Sequence, residues 1–302
     1  MEVVTNTNVN SPKKEIKSLS PWAIARRKFM KNKLAMISLV FLILIILTAI
    51  FGPMLNKQDI VRIDYMNMSK EPSADNWLGT DTNGRDMFAR MLHGGRTSLL
   101  IGFTCTILIT LMGTIVGSIA AYNGGKIDQL LMRFTDFVLV FPFMIFVIVL
   151  NSLLTGKVSG AWPIIIVMSI LGWGGVARIV RSKVLAEKEN EYILAAKSIG
   201  TRPSKIIIKH LLPNVSSTII VQATLILAVM IVAESGLSFL GFGVPANTPS
   251  WGNMLAEARD ADVLRNITWM WVPPATAITL TILSINFIGE GLKDALNPKS
   301  NR

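Results

Sequence analysis

The chain has 302 residues, of which 51% are apolar and only 16% charged, against about 25% charged in ordinary soluble domains. Those proportions argue against a water-soluble enzyme and exclude a disordered or collagen-like chain, while the single cysteine, Cys105, excludes a disulfide framework and a thiolate zinc cluster. The net charge of +11 would suit a nucleic-acid binder until the positions of the charges are read.

Residues 1–20 are polar, rich in Asn, Thr, Ser and Lys, and are expected to stay disordered. A short helix can begin at Ser20-Pro21-Trp22. In it Trp22, Ala25 and Phe29 share a face, with Arg26, Lys28 and Lys33 mostly on others. That pattern suits a helix on the membrane surface, or a plain basic anchor for the span that follows. Residues 1–33 therefore form an N-terminal tail and surface helix. Segment 34–55 is the first of six apolar stretches, the others being 98–122, 134–154, 158–177, 215–240 and 269–292. Each is long enough for a hydrocarbon core about 30 Å thick. None of the 30 Lys and Arg lies inside them, and each must be helical, because lipid offers no partner to an unpaired backbone group. The first stretch follows Arg26, Arg27, Lys28, Lys31 and Lys33, as a signal peptide would. Its apolar run of 18 residues, 34–51, exceeds the roughly 7–15 of a signal-peptide core, so a retained helix is expected.

The excursion 56–97 carries six basic and six acidic residues. Asp81, Asn83 and Asp86 invite a calcium-loop reading, but an EF-hand loop needs Gly at its sixth position and Glu at its twelfth. Here the Gly comes too early and no Glu follows. A capped turn leading into a surface helix at 87–92 is the better account, and no metal is expected. Cys105, in the second stretch, is a small packing residue.

In the third stretch Asp136 lies near one end beside Arg133, and Phe141-Pro142-Phe143 marks a bend, because proline breaks a helical hydrogen bond. The fifth contains Glu234, about two-thirds along, in Ala233-Glu234-Ser235-Gly236-Leu237-Ser238. A carboxylate at membrane depth either lines a pathway or bonds another helix. Glu234, Ser235, Ser238 and Pro142 are accordingly the candidate pathway residues. The sixth stretch opens with Pro273-Pro274 and ends near Glu290 and Lys293. No phosphate-cradling G-x-x-x-x-G-K-[ST] loop occurs, and His93 and His210 fall on opposite sides of the membrane. No catalytic residue, metal ligand or cofactor is expected on this chain.

Basic residues favour cytoplasmic loops. With the N-terminus inside, segments 1–33, 123–133, 178–214 and 293–302 hold 21 Lys and Arg, and the external segments hold nine. The positive charge therefore reflects topology in a cell membrane, with both termini cytoplasmic, and the nucleic-acid reading falls away.

Segment 178–214 is the one long internal loop. Ile193, Ala196, Ile199 and Gly200 recur on one side of a helix over 191–200, and the small Ala195 and Ala196 permit close approach by another protein. Gly200 suits the left-handed position that ends a helix. A second short helix is expected over 204–212, with Pro213 marking the turn into the fifth span.

These residues carry a resemblance. Leu194-Ala195-Ala196, three residues, Gly200, nine residues, then His210-Leu211-Leu212-Pro213 is similar to the E-A-A motif of bacterial ABC-importer permeases, with Leu194 in place of its Glu and His210 in place of its Ile. Glu191 is the nearby acidic side chain. Gly79-Thr80-Asp81…Gly84-Arg85-Asp86 is similar to the G-T-D-x-x-G-R-D signature of the dipeptide/oligopeptide/nickel permease group, as are the segments at 237–244, 249–252 and 291–298. The chain thus resembles the C-type permease subunits of oligopeptide importers. The resemblance implies an all-α polytopic membrane protein of the type I importer fold: a first helix at 34–55, an external loop at 56–97, a permease core at 98–292 with a coupling loop at 178–214, and a cytoplasmic tail at 293–302. It implies pairing with a second, B-type permease, two ATP-binding cassette subunits that hold ATP and Mg, and an external peptide-binding protein. Glu191, Tyr192, Ala195, Ala196, Gly200, His210, Leu212 and Pro213 would contact the ATPase. Similar permeases carry dipeptides or nickel chelates. The reading from another class is a secondary transporter that needs no ATPase, which would show inverted repeats and paired broken helices.

Overall fold

The computed structural model describes residues 21–56 and 58–297; the polar stretch 1–20 and residues 298–302 of the expected tail lie outside the described residues. Helix α1 (Pro21–Lys31) buries Ala25 and leaves Trp22 exposed. Asn32 ends it and caps α2 (Lys33–Leu55), its side chain accepting the Ala35 N–H at 3.1 Å. Among the candidate spans α2 is the most apolar and the least buried. That inversion follows from the solvent, since hydrocarbon receives Leu and Ile side chains that water would expel.

Helix α3 (Met87–Asn123) runs for 37 residues, so the expected surface helix at 87–92 is instead the first turns of the second span. Asp86 caps it, accepting the Ala89 N–H at 2.7 Å. Gly94-Gly95 does not interrupt it because these glycines receive the Trp251 segment: a Cβ at Gly95 would lie 2.8 Å from the indole. After a turn at Gly124 come α4 (Gly125–Val140) and α5 (Phe143–Leu154), with axes bent by 84°. Pro142 therefore does more than kink the third span. It lacks an N–H and forces Phe141 into an extended conformation, φ −73° and ψ 132°, so the helix stops and restarts.

Helices α6 (Trp162–Gly172) and α7 (Gly174–Glu187) join at Trp173 into one span that continues ten residues beyond the expected end at 177. The extension carries Arg178 and Arg181, which it can do because Asp136 and Asp128 on α4 meet them at 2.5 Å. Next come α8 (Glu191–Ser198), α9 (Pro203–Ile206), a wide π-turn at Ile207–Leu211 and α10 (Leu212–Phe239). After α10 lie two short helices, α11 (Trp251–Leu255) and α12 (Ala261–Asn266), and the last span, α13 (Val272–Leu296). The described residues thus hold five helices long and apolar enough to cross a membrane, and a sixth crossing with α4 and α5 taken as one bent span. The architecture is all-α, as expected.

The tightest helix pair is α3 with α7. A Cβ on Gly113 would lie 2.5 Å from Val176 Cβ, and one on Gly117 would lie 2.4 Å from the Ala177 carbonyl oxygen. Gly113-x-x-x-Gly117 is the small-residue spacing that lets two backbones touch inside lipid, where no hydrophobic force drives helices together. Gly117→Val should therefore lower stability in a detergent unfolding titration by about 1–3 kcal/mol. Gly175→Val, at a position where a Cβ meets nothing within 4 Å, should leave the midpoint within error of the parent.

Candidate functional site

Two structural features bear on function: the hairpin between α7 and α10, and the carboxylate of Glu234.

In the hairpin, Ile193, Ala196, Ile206 and Leu211 are buried in the same cluster as Val180 and Val184 of α7, which seals its underside to the bundle. Gly200, at φ +77°, closes α8 with a paired cap. The Thr201 N–H reaches the Ala196 carbonyl at 3.1 Å and the Gly200 N–H reaches Lys197 at 2.9 Å, the Schellman arrangement that satisfies two orphan carbonyls. A Cβ at Gly200 would meet nothing within 4 Å, so glycine is needed there for its conformation rather than for space. At the base, Lys188 Nζ donates to the Ala121 carbonyl at 3.0 Å, in the last turn of α3, where a cation is favoured. Lys197 lies 5.3 Å from the Tyr122 ring centre. Tyr192 donates its hydroxyl to Glu187 and accepts from Asn214 Nδ2 at 2.9 Å, bracing α8 between α7 and α10.

Of the expected contact residues, Glu191, Tyr192, Ala195, Gly200 and Pro213 are exposed, His210 and Leu212 are half-buried, and Ala196 faces inward. Ile199 was expected beside Ile193 and Ala196 but is 82% exposed, because the helix ends at Ser198 and the cap swings Ile199 outward. Leu194 on α8 and Ile208 in the π-turn are exposed apolar side chains as well. The expected separate helix over 204–212 is also revised. Residues 203–239 run as one helical unit, and Pro213 does not break it. The Leu212 N–H bonds Ile207, five residues back, and this widened turn accommodates a residue that has no N–H to give.

Glu234 is fully buried. Ser98 Oγ on α3 donates to Oε2 at 2.9 Å, and Ser238 Oγ donates to Oε1 at 2.8 Å. Ser98 Oγ in turn accepts the Trp251 N–H at 3.1 Å, so one carboxylate ties α3, α10 and the start of α11. Gly243 is required beside it, since a Cβ there would sit 1.8 Å from Ser238 Oγ. Ser235 is buried on the same helix, and Pro142 is exposed at the break between α4 and α5.

At the far end of the bundle, Gly79-Thr80-Asp81 and Gly84-Arg85-Asp86 fold as a single knot. Asp81 Oδ1 accepts the Asn83 and Arg85 N–H groups at 2.9 Å, its Oδ2 meets Arg85 Nε at 2.7 Å, and Arg90 Nε lies 3.4 Å from it. A Cβ on Gly84 would fall 2.0 Å from the Asp64 carbonyl oxygen. Thr82 donates to Glu257 at 3.1 Å, linking the 56–86 loop to the segment between α11 and α12. Burial pushes the Glu257 carboxyl above the usual carboxylate range. Ser98, Arg90 and Glu257 were not singled out from sequence, and Trp251 only as part of the segment at 249–252, since a serine inside an apolar run gives no sign of its distant partner. The Gly113-x-x-x-Gly117 spacing on α3 was not singled out either, although small residues four apart in an apolar run are a signal that sequence carries.

Residues 113–302 match the family described as binding-protein-dependent transport system inner membrane component, and residues 20–72 match the N-terminal TM domain of oligopeptide transport permease C. The chain belongs to this permease family. It is 42% identical to the oligopeptide transport system permease protein OppC of Bacillus subtilis over 94% of its own length and 91% of that protein's. It is also 42% identical to the dipeptide transport system permease protein DppC of the same organism, over 94% and 88%. A putative peptide permease of Brucella suis is 38% identical over 94% and 93%. The chain is thus a multi-pass membrane permease.

Two outcomes follow from the permease's geometry. Gly200→Ala should cost the hairpin about 1 kcal/mol through left-handed strain, read as roughly fivefold faster hydrogen exchange at the Thr201 amide. Glu234→Leu should strand the Ser98 and Ser238 hydroxyls and lower unfolding stability by about 1–3 kcal/mol. Glu234→Gln, whose amide still accepts, should lose less.

Proposed function

We propose that this permease forms half of the translocation pathway of an ATP-driven importer of oligopeptides in a bacterial plasma membrane. Hydrolysis then belongs to two separate cassette subunits that hold ATP and Mg, and this chain binds no cofactor itself. A B-type permease completes the channel and an external peptide-binding protein delivers the solute. The peptide cargo rests on the names of the relatives. DppC of Bacillus subtilis, equal in identity to OppC, makes dipeptides the second reading. Both termini and the hairpin are cytoplasmic in this scheme, because the segments at that end hold 21 of the 30 Lys and Arg.

The observation that carries the coupling role is the outer face of α8 and its cap. Leu194, Ile199 and Ile208 are exposed on a hairpin whose underside is sealed and whose end is locked by Gly200. An exposed apolar face on a rigid support suits a groove on another protein. Glu191, Tyr192, Ala195 and Gly200 lie at that face, and His210, Leu212 and Pro213 support its return strand. ATP-driven closure of the cassette pair can bias the permease only by favouring one of its two states, and α7, continuous from membrane to hairpin, carries the displacement. Glu234, Ser235 and Ser238 act as a brace next to the pathway rather than as its lining, and the break at Pro142 gives the third span a place to flex.

Gly200→Trp should abolish co-purification with the cassette subunits and peptide uptake while membrane insertion stays intact. Gly200→Ala, with the same backbone strain but no bulk, should keep assembly. Full assembly by the Trp variant would remove the hairpin from the coupling role, and nucleotide-free uptake by the purified chain alone would favour a secondary transporter.

A further inference from the structure

Where the hairpin end of the bundle meets the membrane boundary, α7, α10 and α13 enclose a cleft of about 610 Å³. Lys183 of α7 and Lys293 of α13 line it from two sides. Both are exposed, and neither takes part in an ion pair among the described residues. The carboxylate in the lining, Glu187, is engaged by the Tyr192 hydroxyl. The floor is α10, where the polar Thr218 and Gln222 are interleaved with the apolar Val215, Val221 and Leu225. Leu225 lies about 10 Å farther along the axis than Thr218, at 1.5 Å per residue. An adjoining cavity of about 470 Å³ shares Asn214 and Ser217 with this cleft and adds Lys28 of α1 to the same rim.

We propose that this cleft binds an anionic phospholipid, with the phosphodiester between Lys183 and Lys293 and an acyl chain along Val221 and Leu225. Two unpaired cations at the ends of spanning helices sit at the level of lipid headgroups, and basic clefts between helices are where anionic headgroups collect. A soluble phosphate would use the lysines and leave the apolar wall empty, whereas a phospholipid satisfies both. Thr218 and Gln222 supply hydroxyl and amide groups to the lipid's ester oxygens. The site is independent of which solute the permease carries, since it needs only the membrane-spanning fold.

The test places the full-length chain in nanodiscs of phosphatidylglycerol and phosphatidylethanolamine in equal parts and counts retained lipids by native mass spectrometry. Wild type should retain phosphatidylglycerol selectively. Lys183→Gln with Lys293→Gln should reduce that preference about 25-fold, roughly fivefold per lysine. Lys183→Arg with Lys293→Arg should keep it and show that the cleft still folds. Lys126→Gln with Arg133→Gln, at the same end but on α4, should also keep it. Inorganic phosphate at millimolar concentration should not displace the lipid. Equal retention by wild type and the double Gln variant would overturn the proposal. So would displacement by phosphate, which would mark a soluble-anion site, or lost uptake with lipid retention unchanged, which would place the cleft on the solute route.

Discussion

The contact of α3 with α7 at Gly113 and Gly117 positions the whole hairpin end of the permease. In hydrocarbon two helices gain little by hiding apolar side chains from each other, so close packing and paired polar groups must hold them. The glycines bring the backbones together, and the Ala177 carbonyl would be struck by any side chain at Gly117. Helix α7 is thereby fixed along the last turns of α3, where Lys188 reaches the Ala121 carbonyl. The hairpin that follows starts from a set point, and α4 is clamped to the same helix by Arg181 and Asp128. A displacement imposed on α8 therefore has a stiff path into the membrane.

Glycine does two distinct kinds of work here. At Gly117, Gly243 and Gly95 it clears space, because the neighbouring atoms leave no room for a Cβ. At Gly200 the surroundings are open, and what matters is the left-handed backbone that lets the last carbonyls of α8 find partners. Gly241, at φ +89°, closes α10 in the same way, with the Phe242 N–H on the Leu237 carbonyl at 2.8 Å. The two caps lie at opposite ends of the bundle and fix where the chain leaves it. Beside the second cap, Glu234 joins α3, α10 and α11 through two serine hydroxyls. Burying a carboxylate is tolerable only with such partners, and the result is a cross-link in a region that side-chain packing alone would leave looser.

The chain by itself determined the approximate place of the apolar helices that can cross the bilayer, because a span must be apolar for about 20 residues and charges are excluded from it. The Asp86 cap, the stop at Gly200, the break at Pro142 and the motifs that mark the family were also legible, since each acts over a few residues. Tertiary structure decided what depends on distant partners. Helix α7 outruns its apolar stretch because Asp128 and Asp136 meet its arginines. Gly94-Gly95 stays helical because Trp251 packs there, and Pro213 sits inside a helix because a π-turn absorbs the missing donor. Ile199 points outward because a helical cap, unlike a helical period, changes the direction of the chain. The Ser98 partner of Glu234 comes from 136 residues away in sequence, and no local pattern encodes a contact that only the packing of three helices creates.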